Sequence, residues 1–252
     1  MSFTLTINPV LLSLGPFEIR YYGLVYVIGF ILAYVFLKKF KDHLGFKDKD
    51  IDEFLIWLFV GVILGSRLFE VIVWNPSYYF ANPLKIFAVW EGGMAFHGGL
   101  IGAGLVAYWY SKKNNISLAK LVDVIVFPAI IALALGRIAN FINGELVGTV
   151  TNVPWCVNFP GYDECRHPSQ LYGALKRFII LGVLVLLYNH KKHKDGFIFC
   201  VFVALMGIGR FFLDFYRDDI RYLGLSLGQY FGLIMFIVSG YILIKYYWRK
   251  DK

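Results

Sequence analysis

Seven stretches of this sequence are apolar over roughly the length that crosses a bilayer: about 21–37, 53–73, 94–110, 121–143, 170–188, 197–216 and 227–247. Only helices and closed barrels satisfy their own backbone in lipid, and runs this long and continuous are helical. A chain of 252 residues that is 58% hydrophobic and only 17% charged also carries more apolar surface than one soluble core would bury. The expected fold is therefore an all-α integral membrane protein of about seven transmembrane helices. It is read as one polytopic domain over 1–252, with a short external loop at about 148–168. An odd number of spans puts the termini on opposite sides. The basic residues at 38–49, 112–120, 191–194 and 245–252 fall on one side, and only Arg20, Lys85, Arg166, Arg217 and Arg221 on the other. By the positive-inside rule the N-terminus is outside and the C-terminus cytoplasmic. The net charge of +8 is then mostly a cytoplasmic collar facing anionic lipid. The N-terminus has neither a basic n-region nor a small-residue cleavage pattern, so the first span is expected to be retained.

The informative charges lie within the spans: Arg67, Arg137, Lys176, Arg177 and Arg210. A cation at membrane depth is costly and needs a partner or a ligand. If the helix of the fourth span continues through Gly136-Arg137-Ile138-Ala139-Asn140-Phe141-Ile142-Asn143-Gly144-Glu145, then Arg137, Asn140 and Gly144 share one face, which suits an anion. The alternative is an arginine reaching up to the headgroups. Arg67 and Glu70 stand at i, i+3 and Arg210 and Asp214 at i, i+4, so each pair could neutralise on its own helix. Gly207, Arg210, Asp214 and Arg217 also form a stripe toward the outer end of their helix. Lys176 and Arg177 follow the external loop closely, and snorkelling is the expectation for them.

Gly98 and Gly102, with Gly99 and Ala103, form two small-xxx-small pairs that admit a close neighbour. His97 beside them can exchange a proton near neutral pH and hydrogen-bond a phosphate, or serve packing alone. Cys156 and Cys165 lie in the external loop on the oxidising side, where they are either a disulfide or two free thiols. Cys200, within a span, is read as inert. No Cys/His cluster has metal spacing, no hydrolase nucleophile motif is present, and nothing points to nucleic acid. Anion-binding and acid–base groups without a protein nucleophile suit a transfer whose acceptor brings its own.

Four runs closely resemble the prolipoprotein diacylglyceryl transferase family: Trp90-Glu91-Gly92-Gly93-Met94-Ala95-Phe96-His97-Gly98-Gly99-Leu100, Gly136 through Glu145, Arg166-His167-Pro168-Ser169-Gln170-Leu171-Tyr172 and Gly209-Arg210-Phe211. Tyr21-Tyr22-Gly23-Leu24 matches the family's first helix, so the resemblance spans nearly the whole chain. It implies a multi-pass enzyme of the bacterial plasma (cytoplasmic, or inner) membrane, without a cofactor. The enzyme would move the diacylglyceryl group of phosphatidylglycerol onto the lipobox cysteine of a prolipoprotein signal peptide, forming a thioether and releasing glycerol phosphate. On matched positions, Arg137 and Arg210 are expected to hold the phosphate, with Asn140 and Glu145 shaping the headgroup site. Tyr22, Asn143, Gly144 and Gly98 fall in the same substrate-binding set. His97 is the expected acceptor of the thiol proton, or a positioning group, and His167 is expected to be structural. The chain departs from the family pattern at Ala139, usually glycine, at Asp214, often glutamate, and at Gly173, commonly an acid. A transporter and a lipid-phosphate hydrolase remain as alternatives. The first would need repeat-related halves that are not found, and the second differs only in what attacks.

Overall fold

The structure is a computed structural model that describes residues 3–14, 17–190 and 193–248. Lys191, Lys192, Arg249, Lys250 and Lys252 of the expected basic collar lie outside the described residues. Seven long helices dominate: α1 (Tyr21–Lys39), α2 (Asp48–Phe69), α3 (Phe96–Lys113), α4 (Leu118–Ile142), α5 (Ser169–His190), α6 (Phe197–Leu213) and α7 (Leu227–Ile242). The protein is an all-α integral membrane protein. Among the described residues six helical stretches, Tyr21–Lys39, Asp48–Trp74, Leu118–Ile142, Ser169–His190, Phe197–Tyr216 and Leu227–Tyr247, are long and apolar enough to cross a membrane. Helix α3 forms where a seventh span was expected but is not among them. Its four glycines, His97 and the closing Ser111-Lys112-Lys113 make it less apolar overall. Helix α4 is the most buried of the six, with 39% of its apolar window covered against 11% for α1, so the polar end of α4 emerges among protein rather than lipid.

The chain divides into two compact units, Tyr34–Val124 on one hand and Met1–Ala33 with Ile125–Lys252 on the other. In the first, α2 and α3 cross at glycines on both sides. A Cβ on Gly65 would overlap the Gly98 carbonyl oxygen, and one on Gly102 would overlap that of Gly61. The small residues at 98 and 102 thus admit a neighbouring backbone, as their spacing suggested. Away from this crossing, fully buried Tyr110 donates to the Asp50 carbonyl at 2.9 Å and meets Phe54 edge to face.

In the second unit, α6 and α7 cross in the same way at Gly207 and Gly232. Helix α7 opens on a capping box: the Ser226 hydroxyl accepts from Gln229 N, and the Gln229 side chain accepts from Ser226 N. Helix α5 starts at Ser169, directly after Pro168, where a proline and a hydroxyl mark a helix start. The N-terminal segment is extended. Strand β1 (Phe3–Thr4) pairs in parallel with β4 (Val157–Asn158), and β2 (Val10–Leu14) forms a hairpin with β3 (Phe17–Arg20). Leu5, just beyond β1, closes a small core with Phe141, Val147, Val157 and Phe159. That core fixes the turn that follows α4.

Candidate active site

Helix α4 does not run through the polar stretch as one face. It ends at Ile142, and Gly144 adopts a left-handed φ of +68° that only a residue without a side chain takes easily. Gly144 therefore leaves the face shared by Arg137 and Asn140 and serves as the helix stop. The turn folds the chain back, so that Glu145 N donates to the Asn140 carbonyl. The Asn140 amide donates to Glu145 Oε1 at 2.7 Å and the Asn143 amide to the same oxygen at 3.2 Å. The start of α5 anchors this turn: buried Gln170 donates to the Glu145 carbonyl and Ser169 to that of Leu146. Two buried side-chain acceptors here, Asn143 Oδ1 and Gln170 Oε1, have no hydrogen-bond partner among the described residues. A turn so saturated with donors to one carboxylate, yet with open acceptors, suits a polyol headgroup.

Arg137 precedes this turn on α4 and is within electrostatic reach of Arg210, Arg217, Asp214 and Tyr22. The ion pair anticipated at Arg210 and Asp214 forms: Arg210 Nε meets Asp214 Oδ2 at 3.2 Å. Asp214 is 3% exposed, also accepts from the Ser226 hydroxyl at 3.1 Å, and lies 3.9 Å from Arg217. Gly228 makes room for this pair, since a Cβ there would overlap Asp214 Oδ2. Asp214 thus fixes Arg210 through its Nε. Arg217 is held in addition by Asp219 at 3.0 Å.

Lys176 and Arg177 depart from the snorkelling expectation. Arg177 is 8% exposed, donates to the Gly173 carbonyl at 2.7 Å, and has a buried Nε without a partner. The stem of Lys176 lies on Gly209 of α6, where a Cβ would come 2.5 Å from its Cδ. Each side chain lies over a glycine, Arg177 over Gly173 of its own helix and Lys176 over Gly209 of α6. No local pattern in the sequence announces this, since Gly209 becomes the neighbour of Lys176 only once α5 and α6 pack.

In the other compact unit the expected Arg67–Glu70 pair does not form. Instead all five N–H groups of Arg67 are taken by backbone carbonyls of one segment: Lys85, Ile86, Ala88, Gly92 and Gly93, at 2.5 to 3.0 Å. Its guanidinium also lies 4.9 Å from the Tyr79 ring centroid, and Glu70 accepts from Asn75 instead. Five converging carbonyls outcompete one carboxylate at i, i+3 because they match every donor of the planar fork. On the same segment Glu91 pairs with Lys85 at 2.6 Å and holds its ammonium above the usual lysine range. The bracket leads directly into α3, where Ala95 N donates to the Ser66 carbonyl. His97 follows in the first turn of α3, exposed, with its ring near Phe69 and Phe96 at 6.1 and 5.8 Å. Gly98 faces the Gly65 backbone. Tyr22, in the first turn of α1, is exposed and meets Tyr26 edge to face.

The loop between α4 and α5 is closed by the disulfide Cys156–Cys165. Arg166 spans it, donating to the Gly148 carbonyl at 3.1 Å and to Asp218 at 2.7 Å. Trp155 donates to the Tyr172 hydroxyl at 2.7 Å, and that hydroxyl lies 3.1 Å from His167 Nδ1. Burial holds the His167 imidazole pKa below its ordinary value.

A family model described as prolipoprotein diacylglyceryl transferase matches residues 9–245. Three relatives carry the name phosphatidylglycerol--prolipoprotein diacylglyceryl transferase. The one from Geobacter sulfurreducens is 41% identical over 241 residues, covering 92% of this chain and 93% of the relative. One from Pseudomonas syringae pv. syringae is 39% identical, covering 97% and 95%. One from Rickettsia africae is 38% identical, covering 94% and 96%. With the polar turn after α4, the Arg210–Asp214 pair and the histidine at the head of α3 all inside the matched residues, the chain belongs to the prolipoprotein diacylglyceryl transferase family.

Proposed function

We propose that this protein transfers the diacylglyceryl group of phosphatidylglycerol to the thiol of a lipobox cysteine in a prolipoprotein signal peptide. This is the first step of lipoprotein maturation, and its site is a bacterial plasma membrane. A carbon–sulfur bond forms at the glyceryl carbon and the bond from that carbon to the phosphate oxygen breaks. Its electron pair stays on the oxygen, so glycerol phosphate leaves as a phosphate monoester while the thiol gives up its proton. The acceptor carries its own nucleophile, and the chain must supply charge stabilisation, orientation and a proton acceptor. Membership of the family and the names of its members support the overall reaction.

The observation that carries the site assignment is the gathering of Arg137 with Arg210, itself braced by Asp214, beside the Asn140–Asn143–Glu145 turn. In this reading Arg137 and Arg210 hold the phosphate and take up the charge that grows on its oxygens. Asn140, Asn143 and Glu145, shaped by Gly144, bind the glycerol hydroxyls of the headgroup, and Tyr22 supplies a hydroxyl near Arg137. His97 takes the thiol proton, and Gly98 sets the helix crossing that orients it. The termini are assigned to opposite faces, the C-terminus cytoplasmic, with α3 counted as a seventh crossing.

The test is glycerol phosphate release by the purified protein in detergent, given phosphatidylglycerol and a lipobox peptide, beside the same peptide with serine for cysteine. Release with the cysteine peptide alone, with a peptide mass gain of one diacylglyceryl group, is expected. Release with both peptides would make the protein a lipid hydrolase, and release with neither from folded protein would overturn the reading.

A further inference from the structure

The cations gathered around α4, α5 and α6 outnumber what the known reading uses. Arg137, Lys176 and Arg177 each interact electrostatically with Arg210 and with Asp214, the carboxylate they share; Lys176 and Arg177 also interact with Arg137, and Arg217 with Arg137 and Arg177. Arg210 and Arg217 are the two that contact Asp214, and Arg217 has Asp219 as well. Arg137, Lys176 and Arg177 have no carboxylate partner among the described residues. All three lie on helices that cross the membrane, where charge is poorly tolerated without compensation. Arg177 adds an independent sign, being over nine-tenths buried with a guanidinium N–H that nothing accepts.

Gly173 sets the geometry. A Cβ there would lie 3.2 Å from Arg177 Nη1 and 3.4 Å from Arg137 Cδ, so two arginines from different helices rest against one bare stretch of α5. Lys176, one turn along, is brought inward over Gly209. Three unpaired cations are thus gathered around one place. A phosphodiester headgroup brings one negative charge to such a site. A phosphate monoester brings nearly two at neutral pH, because its second proton leaves near pH ~6.

We infer that Lys176 and Arg177, together with Arg137, form a site matched to a doubly charged phosphate monoester, so that the protein holds its leaving group more tightly than the headgroup it came from. The inference rests on the reading that this site takes a lipid phosphate, and it adds two residues outside the matched motifs. A site charged for the monoester is complementary to the phosphate as the carbon–oxygen bond breaks, and it favours the transition state over the bound lipid. The same property makes free phosphate monoesters competitors of phosphatidylglycerol.

The experiment measures binding to the full-length protein in detergent at pH 7.5 and fixed ionic strength, by calorimetry and by thermal protection. The probes are glycerol phosphate, inorganic phosphate and the diester glycerophosphoglycerol. Glycerol phosphate is expected to bind at least about tenfold tighter than the diester, each tenfold being ~1.4 kcal/mol. Arg177→Gln and Lys176→Met are each expected to erase most of that preference, and Arg177→Lys to keep it. Gly173→Glu, which puts a carboxylate beside Arg137 and Arg177, should erase it without removing either cation, so a failure of Arg177→Gln to fold leaves the test intact. Phosphatidic acid in nanodiscs separates the sources: displacement of glycerol phosphate by this lipid favours a lipid-borne monoester, and no displacement favours the soluble product. Equal affinity for monoester and diester, or a preference that survives Gly173→Glu, overturns the inference. Cysteine-dependent transfer measured on the same preparation keeps the two readings apart. Transfer without monoester preference sinks this inference alone, and preference without transfer sinks the transferase assignment alone.

Discussion

Arg67 and Arg177 are both buried arginines on membrane-crossing helices, 5% and 8% exposed, and they are held in opposite ways. Arg67 gives all five donors to carbonyls of a single segment and so staples residues 85–93 onto α2. Arg177 gives one donor to the carbonyl four residues back on its own helix and leaves Nε unmet. In a low-dielectric setting the first arrangement is complete and the second is not. A saturated guanidinium has nothing left to offer a ligand, whereas an unsaturated one is retained at a cost that a ligand can offset. Burial alone therefore does not separate a structural cation from a functional one. What differs between these two is the number of satisfied donors.

The largest effect expected from this contrast is on folding. Arg67→Ala strips the donors from five carbonyls, and at ~1–3 kcal/mol for each buried group left unmet the segment before α3 should not hold. Loss of monodisperse protein on extraction, read by size exclusion, is the expected outcome. Arg67→Lys should not rescue it, because three donors on a flexible stem cannot meet five fixed acceptors. Near-normal thermal stability of Arg67→Lys would break the comparison. Next comes Arg137→Gln. Transfer should fall by ~10²–10³, the usual consequence of removing one group that stabilises a developing oxyanion. The melting temperature should stay or rise, because an unpaired cation has been removed from membrane depth. Turnover within a few fold of wild type would show that Arg137 does not touch the phosphate.

What the sequence reveals about these two regions follows the range of the interactions. Local ones were readable: the Arg210–Asp214 pair at i, i+4, the start of α5 after Pro168, and the close crossing implied by Gly98 and Gly102. Six of the seven expected spans follow from apolar length, and α3 is the exception because its glycines and His97 dilute its hydropathy. The Arg67 bracket joins residues 18 to 26 apart, so the nearest carboxylate, Glu70, was the natural wrong partner. The snorkelling expected of Lys176 and Arg177 fails for a related reason. Their inward course depends on a missing side chain at Gly173 and another on the neighbouring α6, and a sequence does not display empty space. Glycines facing cations are the signal that could have found them.

His97→Asn comes third, with an expected loss of ~10² in transfer, at the lower end of what a positioned base contributes. The loss should shrink at alkaline pH, where the substrate thiol ionises unaided near pH ~8.5. A deficit equal at every pH would assign His97 to positioning instead, which would extend the role of the Arg67 bracket from holding the loop to aiming α3.

The smallest effect sharpens the comparison from outside the membrane, where a satisfied group can be made unsatisfied by pH. Trp155 donates to the Tyr172 hydroxyl, and that hydroxyl lies 3.1 Å from His167 Nδ1. Burial lowers the His167 pKa in the folded chain. The unfolded loop then takes up protons first as pH drops below the ordinary ~6.5, so this contribution to stability is full above that value and is lost below it. The loop between α4 and α5 is tied by Val157–Arg166 backbone bonds and the Cys156–Cys165 disulfide, which makes the rate of disulfide reduction by a phosphine a direct reading of loop opening. Reduction should be modestly faster at pH 5 than at pH 7.5 in the wild type, and His167→Asn should flatten that difference while leaving the rate at pH 7.5 near its original value. An unchanged pH dependence in His167→Asn would show that His167 does not carry the acid sensitivity of this loop.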